Sequence, residues 1–144
     1  MATLTCIKLR TSLDQAKHDE EVAGFLLSNE TYSDWIVIIH FYAAMHYVRH
    51  LILPHSYRLV TGAECLCDSF ENLFEQKKRD KEGRHGFLNR FVRENHRAIG
   101  VKYQQLHEMS VTARYNNAQY DKRYIDISKR HLKEVKDYCL KNKS

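Results

Sequence analysis

The sequence predicts an all-α fold, an antiparallel up-and-down bundle of four to five helices, and three observations carry that prediction. One proline and five glycines are spread over 144 residues, too little punctuation for a many-stranded fold. Apolar residues recur at helical spacing through most of the chain. One segment, Trp35 to Leu53, is apolar on almost every side, the pattern of a helix packed by several neighbours. A chain of this length reads as a single domain, residues 1–144, large enough to bury a core without a metal or a disulfide.

Each element has its own signals. Ser12-Leu-Asp-Gln15 reads as a capping box, and Val22, Ala23, Leu26 and Leu27 supply a stripe, which places a first helix over 12–30. Thr31 to Asp34 caps the second helix. Its β-branched start, Ile36 to Ile39, could begin a strand, but Phe41, Ala43, Ala44, Met45 and Leu51 continue at helical spacing until Pro54 ends the ladder. Thr61-Gly-Ala-Glu64 reads as a second capping box, followed by Leu66, Phe70, Leu73 and Phe74, predicting a third helix over 62–79. Gly83 and Gly86 break the chain. Phe87, Leu88, Phe91 and Val92 open a fourth stretch that kinks near Gly100 and resumes through Tyr103, Leu106, Met109 and Ala113. Asn116-Asn117 marks a loop. Asp126 is the expected N-cap of a last helix with Ile127, His131, Val135, Tyr138 and Cys139 facing inward.

Composition narrows the setting. Hydrophobic residues at 43% and charged residues at 28% describe a globular chain, and a net charge of +5 favours anionic partners only weakly. Cys6, Cys65, Cys67 and Cys139 form no CxxC pair; on a helix Cys65 and Cys67 would point to nearly opposite sides. A reduced, cytoplasmic protein is expected. The first twelve residues lack a long apolar run with a cleavage site, so no signal peptide is expected. Trp35 to Leu53 carries His40, His46, Arg49 and His50, which would be costly in hydrocarbon, so no membrane span is expected.

Motifs with chemical content are few. No glycine-rich phosphate loop, HExxH or nucleophile elbow is present. His46 and His50 are four apart on one helix but have no adjacent carboxylate or cysteine to complete a metal shell, so no metal or cofactor is predicted. Arg90, Arg93 and Arg97 fall at i, i+3 and i+7 and would share a helical face, preceded by Lys77, Lys78, Arg79, Lys81 and Arg84. That stretch can contact phosphates, or simply be a solvated face diluted by Asp80, Glu82 and Glu94.

Asp34-Trp35 with Phe41-Tyr-Ala-Ala-Met-His46-Tyr-Val, Arg84-His85-Gly-Phe-Leu-Asn-Arg-Phe91, and Leu106-His-Glu-Met-Ser110-Val-Thr-Ala-Arg114-Tyr115 together resemble the HEPN superfamily of helical bundles, over about residues 12–142. The matching pieces are Tyr42 to His46, His85 to Phe91, and Ala113 to Tyr115. This chain departs from the pattern in carrying Ser110 where many relatives have arginine and Arg114 where they have aspartate.

The resemblance implies a metal-independent ribonuclease whose signature is an arginine four to six residues before a histidine. Three pairs here fit that spacing: Arg49 with His55, Arg79 with His85, and Arg90 with His96. Pro54 lies between the first pair, and i, i+6 on a helix separates the third; Asp80 follows Arg79 and His85 stands at the matching family position, so the resemblance implies Arg79 and His85 as the catalytic pair, with Gly83 between them. Arg84, Arg90, Arg93 and Arg97 are the expected RNA contacts, with Tyr42, His46, Arg114 and Tyr115 supporting them. Two readings follow. One is an RNA-cleaving protein of toxin or defence type, working as a homodimer and paired with an antitoxin. The other is a non-catalytic module that binds a nucleotide, an RNA or a protein partner.

Overall fold

The computed structural model describes residues 7–28 and 30–144. Cys6, most of the N-terminal stretch read for a leader, and Asn29 near the expected end of the first helix lie outside the described residues. Among the described residues, six helices and one two-stranded hairpin follow in the order α1 (Ser12–Leu26), α2 (Ser33–Ile52), β1 (His55–Arg58), β2 (Glu64–Cys67), α3 (Phe70–Lys77), α4 (Arg84–Asn95), α5 (Arg97–Tyr115) and α6 (Lys122–Asn142). A single 3₁₀ turn, Glu30–Tyr32, joins α1 to α2. The fold is a helical bundle. Among the described residues, no helix is long and apolar enough to cross a membrane.

Helix α2 is the centre of the bundle, packed by α1, α5 and α6. Phe41, Ala43, Ala44, Tyr47 and Val48 are fully buried, as sides facing several neighbours require. Trp35, at its first turn, is exposed instead. The helix stops at Ile52. Leu53 takes an extended conformation, the geometry that a following proline imposes. The Lys143 ammonium donates to the Leu53 carbonyl and ties the end of α6 to the end of α2.

Several boundaries differ from the sequence expectation, each for a local reason. Thr11, not Ser12, caps α1 by accepting from the Asp14 N–H. The expected third helix over 62–79 is instead a hairpin and a short helix. Residues 59–63 form the turn, with Gly62 at φ 87°, a left-handed conformation that glycine adopts without steric cost. The strands pair antiparallel, His55 opposite Cys67 and Tyr57 opposite Cys65. These four face inward to varying degrees, while Ser56, Arg58, Glu64 and Leu66 face out. Cys65 and Cys67 therefore share one side of a strand. Ser69 caps α3 by accepting from Asn72.

The kink expected near Gly100 is a full break at His96, four residues earlier, where φ −137° and ψ 61° leave the helical region. Gly100 has a different role. A Cβ there would lie 3.3 Å from the Arg93 Cα, so glycine lets α5 pass close to α4. Gly86, expected to break the chain, sits inside α4. Asp121, rather than Asp126, caps α6 by accepting from Tyr124. The buried stripe of α6 is accordingly Ile125, Ser128, Leu132, Val135 and Cys139, with Ile127, His131 and Tyr138 only half-buried.

Candidate functional site

Three elements build one cluster at the surface of the bundle. Helix α2 contributes Phe41 and Tyr42, the start of α4 contributes His85 and Asn89, and α5 contributes His107 and Arg114. Phe41 is fully buried and forms the floor. Its ring centroid lies 5.6 Å from His85, 5.0 Å from His107 and 5.8 Å from Tyr103. The two imidazoles stack on each other with centroids 5.0 Å apart and planes 30° from parallel. Both are half-buried.

Polar contacts orient the pair. Asn89 Nδ2 lies 2.9 Å from His107 Nδ1, which fixes that ring and leaves Nε2 as the nitrogen able to exchange a proton. Arg114 Nη1 donates to the Tyr42 hydroxyl at 3.0 Å, and its Nε donates to the Ser110 carbonyl at 3.4 Å. The guanidinium also lies 5.8 Å from the Tyr42 ring and 5.2 Å from the Tyr115 ring. Tyr115 is 72% exposed. Arg49 lies nearby on α2, half-buried over the Phe70 ring at 4.2 Å, with its Nε buried and unpartnered. Among the described residues, neither Arg49 nor Arg114 has a carboxylate within ion-pair distance.

The electrostatics follow from this arrangement. Burial is the main cause lowering the His85 pKa, and His107, Arg114 and Arg49 lower it further. Burial also lowers His107, aided by Arg114 and opposed by Glu108. Both rings are therefore biased towards the neutral form, beside two guanidiniums that make no ion pair among the described residues. His85 also stands in the first turn of α4, which has no acidic residue and no side-chain cap. The site is positive on balance, with Glu108 acting on His107 and Glu71 on Arg49. It can bind phosphate, and its imidazoles can move protons.

The expected site residues separate into three groups. Tyr42, His85, Arg114 and Tyr115 converge here. Arg79 does not join His85: its Nη2 meets Glu94 at 3.3 Å and its backbone N–H meets Glu82 at 3.1 Å, in the loop before α4. The expected arginine face is mostly spoken for. Arg90 is nearly buried, donating to Glu82 at 2.9 Å, to Glu94 at 3.3 Å and to the Lys77 carbonyl at 3.1 Å. These bonds hold the Glu82 carboxyl down to about pH 2. Arg84 pairs with Glu71 through 2.8 and 2.9 Å contacts. Arg93 and Arg97 are exposed but stand on different helices, because the chain breaks at His96 between them.

The remaining histidines lie outside the cluster. His46 Nε2 is 4.0 Å from an Asp19 oxygen, a structural position under α1. His55 packs edge-on against Phe91 at 5.3 Å, and His96 Nδ1 is 3.0 Å from the Tyr138 hydroxyl, so neither meets the arginine spaced before it. No group of three potential metal ligands gathers among the described residues.

His107 and Asn89 were missed by sequence reasoning. Eighteen positions separate them, and only the antiparallel return of α5 along α4 brings them together. His107 stands in a segment that drew notice for Ser110 and Arg114. Its helical phase, seven residues or about two turns before Arg114, is the available signal. No protein-family model, curated protein or solved structure matches this chain.

Proposed function

We propose that the protein acts on RNA, cleaving single strands without a metal at the His85–His107 pair. The observation that carries this reading is the stacking of two imidazoles beside Arg114, a guanidinium that makes no ion pair among the described residues. Arg114 would hold the scissile phosphate and Tyr115 would stack an adjacent base, as exposed aromatics do on single-stranded RNA. One imidazole takes the proton of the ribose 2′-hydroxyl as its oxygen attacks phosphorus. The other gives a proton to the departing 5′-oxygen, and the products are a 2′,3′-cyclic phosphate and a free 5′-hydroxyl. The bound phosphate itself raises the pKa of a neighbouring imidazole and so supplies the acid. The resemblance to the HEPN superfamily points to the same substrate. A homodimer would place two such clusters along one strand, and an antitoxin partner would cover them.

A second reading, a non-catalytic module that binds RNA or a nucleotide, is favoured by one observation. Burial, with Arg114, lowers the pKa of both imidazoles, which disfavours the protonated form that a general acid needs. An RNA-cleavage assay in chelator separates the two. Cleavage by the wild type and its loss in His107→Ala, with Arg79→Ala active, supports catalysis at this pair. RNA binding with no cleavage supports the module. Cleavage retained in both His85→Ala and His107→Ala contradicts the site.

A further inference from the structure

A second constellation lies between α1 and α6, in a groove of about 530 Å³ whose residues the RNA-acting reading does not use. Its floor is His40, from the turn of α2 just before Phe41, and it is only 2% exposed. His40 Nδ1 lies 2.7 Å from Ser128 Oγ, and that hydroxyl donates to the Ile125 carbonyl at 2.9 Å. A serine hydroxyl has one proton to give. Ser128 must therefore accept from His40, which places the imidazole proton on Nδ1 and leaves Nε2 as a bare acceptor. Nε2 has no hydrogen-bond partner in the chain among the described residues. His40 lines the groove, so Nε2 is the ring nitrogen that an occupant's donor can reach.

The groove specifies the occupant further. Leu27 and Leu132 give it apolar walls, and it is within the size range of small-molecule sites. Gly24 opens it: a Cβ built there meets nothing within 4 Å, although glycine inside a helix costs up to about 1 kcal/mol relative to alanine. Four cations and two carboxylates line it. Lys136 pairs with Glu20 at 3.1 Å and Lys133 with Asp137 at 2.6 Å, so the rim keeps Lys129 and Arg130 against the single carboxylate of Asp126, a net positive charge. The Lys129 charge is felt at His40, where it adds to burial in lowering the pKa to about 4. Lys129 and His40 line the same groove, so one small molecule can place an anion at the first and a donor at the second.

We propose that this groove binds a small apolar acid bearing a hydroxyl or N–H group, with its anion on Lys129 and Arg130 and its donor on His40 Nε2. The test is calorimetric titration of the protein with three probes of one shape. These are 4-hydroxyphenylacetate, phenylacetate, which lacks the donor, and 2-(4-hydroxyphenyl)ethanol, which lacks the anion. The first is expected to bind at least about tenfold tighter than either of the others, the worth of one charge-assisted or buried hydrogen bond. Gly24→Leu, which fills the groove, is expected to remove binding, while Gly24→Ala folds with equal or greater thermal stability and still binds. Nitrogen NMR of His40 is expected to show the Nδ1–H form, with the Nε2 resonance moving on addition of 4-hydroxyphenylacetate. Equal affinity for the three probes, no saturation by the first, or binding unchanged in Gly24→Leu would overturn the proposal.

Discussion

His40 and Phe41 are neighbours on α2, yet they lead to two different histidine environments. His40 turns into the α1–α6 side, where burial and Lys129 push its pKa to about 4 and Ser128 Oγ holds its Nδ1 at 2.7 Å. Phe41 turns into the α4–α5 side and carries the half-buried pair His85 and His107 on its ring. The first ring is held in one protonation state across the physiological range. The second pair is lowered by burial but lies near solvent, so an arriving phosphate can reverse the shift. Depth of burial, one residue apart on the same helix, divides a fixed hydrogen-bond acceptor from a group able to exchange protons.

The largest expected effect separates the two regions by activity. Replacing His85 or His107 with alanine should lower RNA cleavage by roughly 10²- to 10⁴-fold, the usual contribution of a general acid or base. His40→Gln should stay within a few-fold of wild type when assayed below its melting temperature. Equal losses at all three positions would mean that folding, and not proton transfer, is being measured.

Stability against pH comes next, and its sign is the reverse of an activity requirement. His40 has a folded pKa of about 4 and an ordinary unfolded value of 6.5. Between those values the unfolded chain binds more protons, so stability is fully present above pH 6.5 and is lost as pH falls towards 4. The loss from this one group is roughly 3 kcal/mol. Denaturant melts of wild type and His40→Gln at pH 4.5 and 7 should show a smaller pH dependence in the variant. An identical slope in both would contradict the buried, neutral ring.

Two smaller effects sharpen the cluster itself. Arg114→Gln should weaken binding of single-stranded RNA about tenfold and reduce the salt dependence of binding by about one phosphate contact. Binding at several salt concentrations checks this. Arg79→Gln should change stability by less than about 1 kcal/mol and leave cleavage within two-fold, because its pairing with Glu94 is solvent-exposed. A large loss of cleavage there would return the site to the arginine–histidine spacing.

The fold was legible where one signal dominated. α2 was readable because its apolar residues leave no other place for it than the centre. The hairpin was not, because Thr61-Gly-Ala-Glu64 satisfies a capping-box pattern, while the alternation of Cys65, Leu66 and Cys67 spans too few residues to oppose it. Gly62 decides between them through its left-handed backbone, which a pattern of residue types does not display. The cluster was legible in part. Tyr42, His85 and Arg114 stood out in the sequence, but their meeting depends on the antiparallel return of α5 along α4. Arg90 looked like a phosphate contact because charge pattern does not reveal burial; in the structure Glu82 and Glu94 enclose it.

The central claim is that RNA phosphate meets the His85–His107 pair. Histidine titrations by NMR, with and without a single-stranded RNA made uncleavable by 2′-O-methylation, test it most directly. Both cluster histidines should start below 6.5 and rise when the RNA is bound, because an anion beside an imidazole favours its charged form. His40 should not move. Unchanged titration of His85 and His107 at saturating RNA would contradict the account.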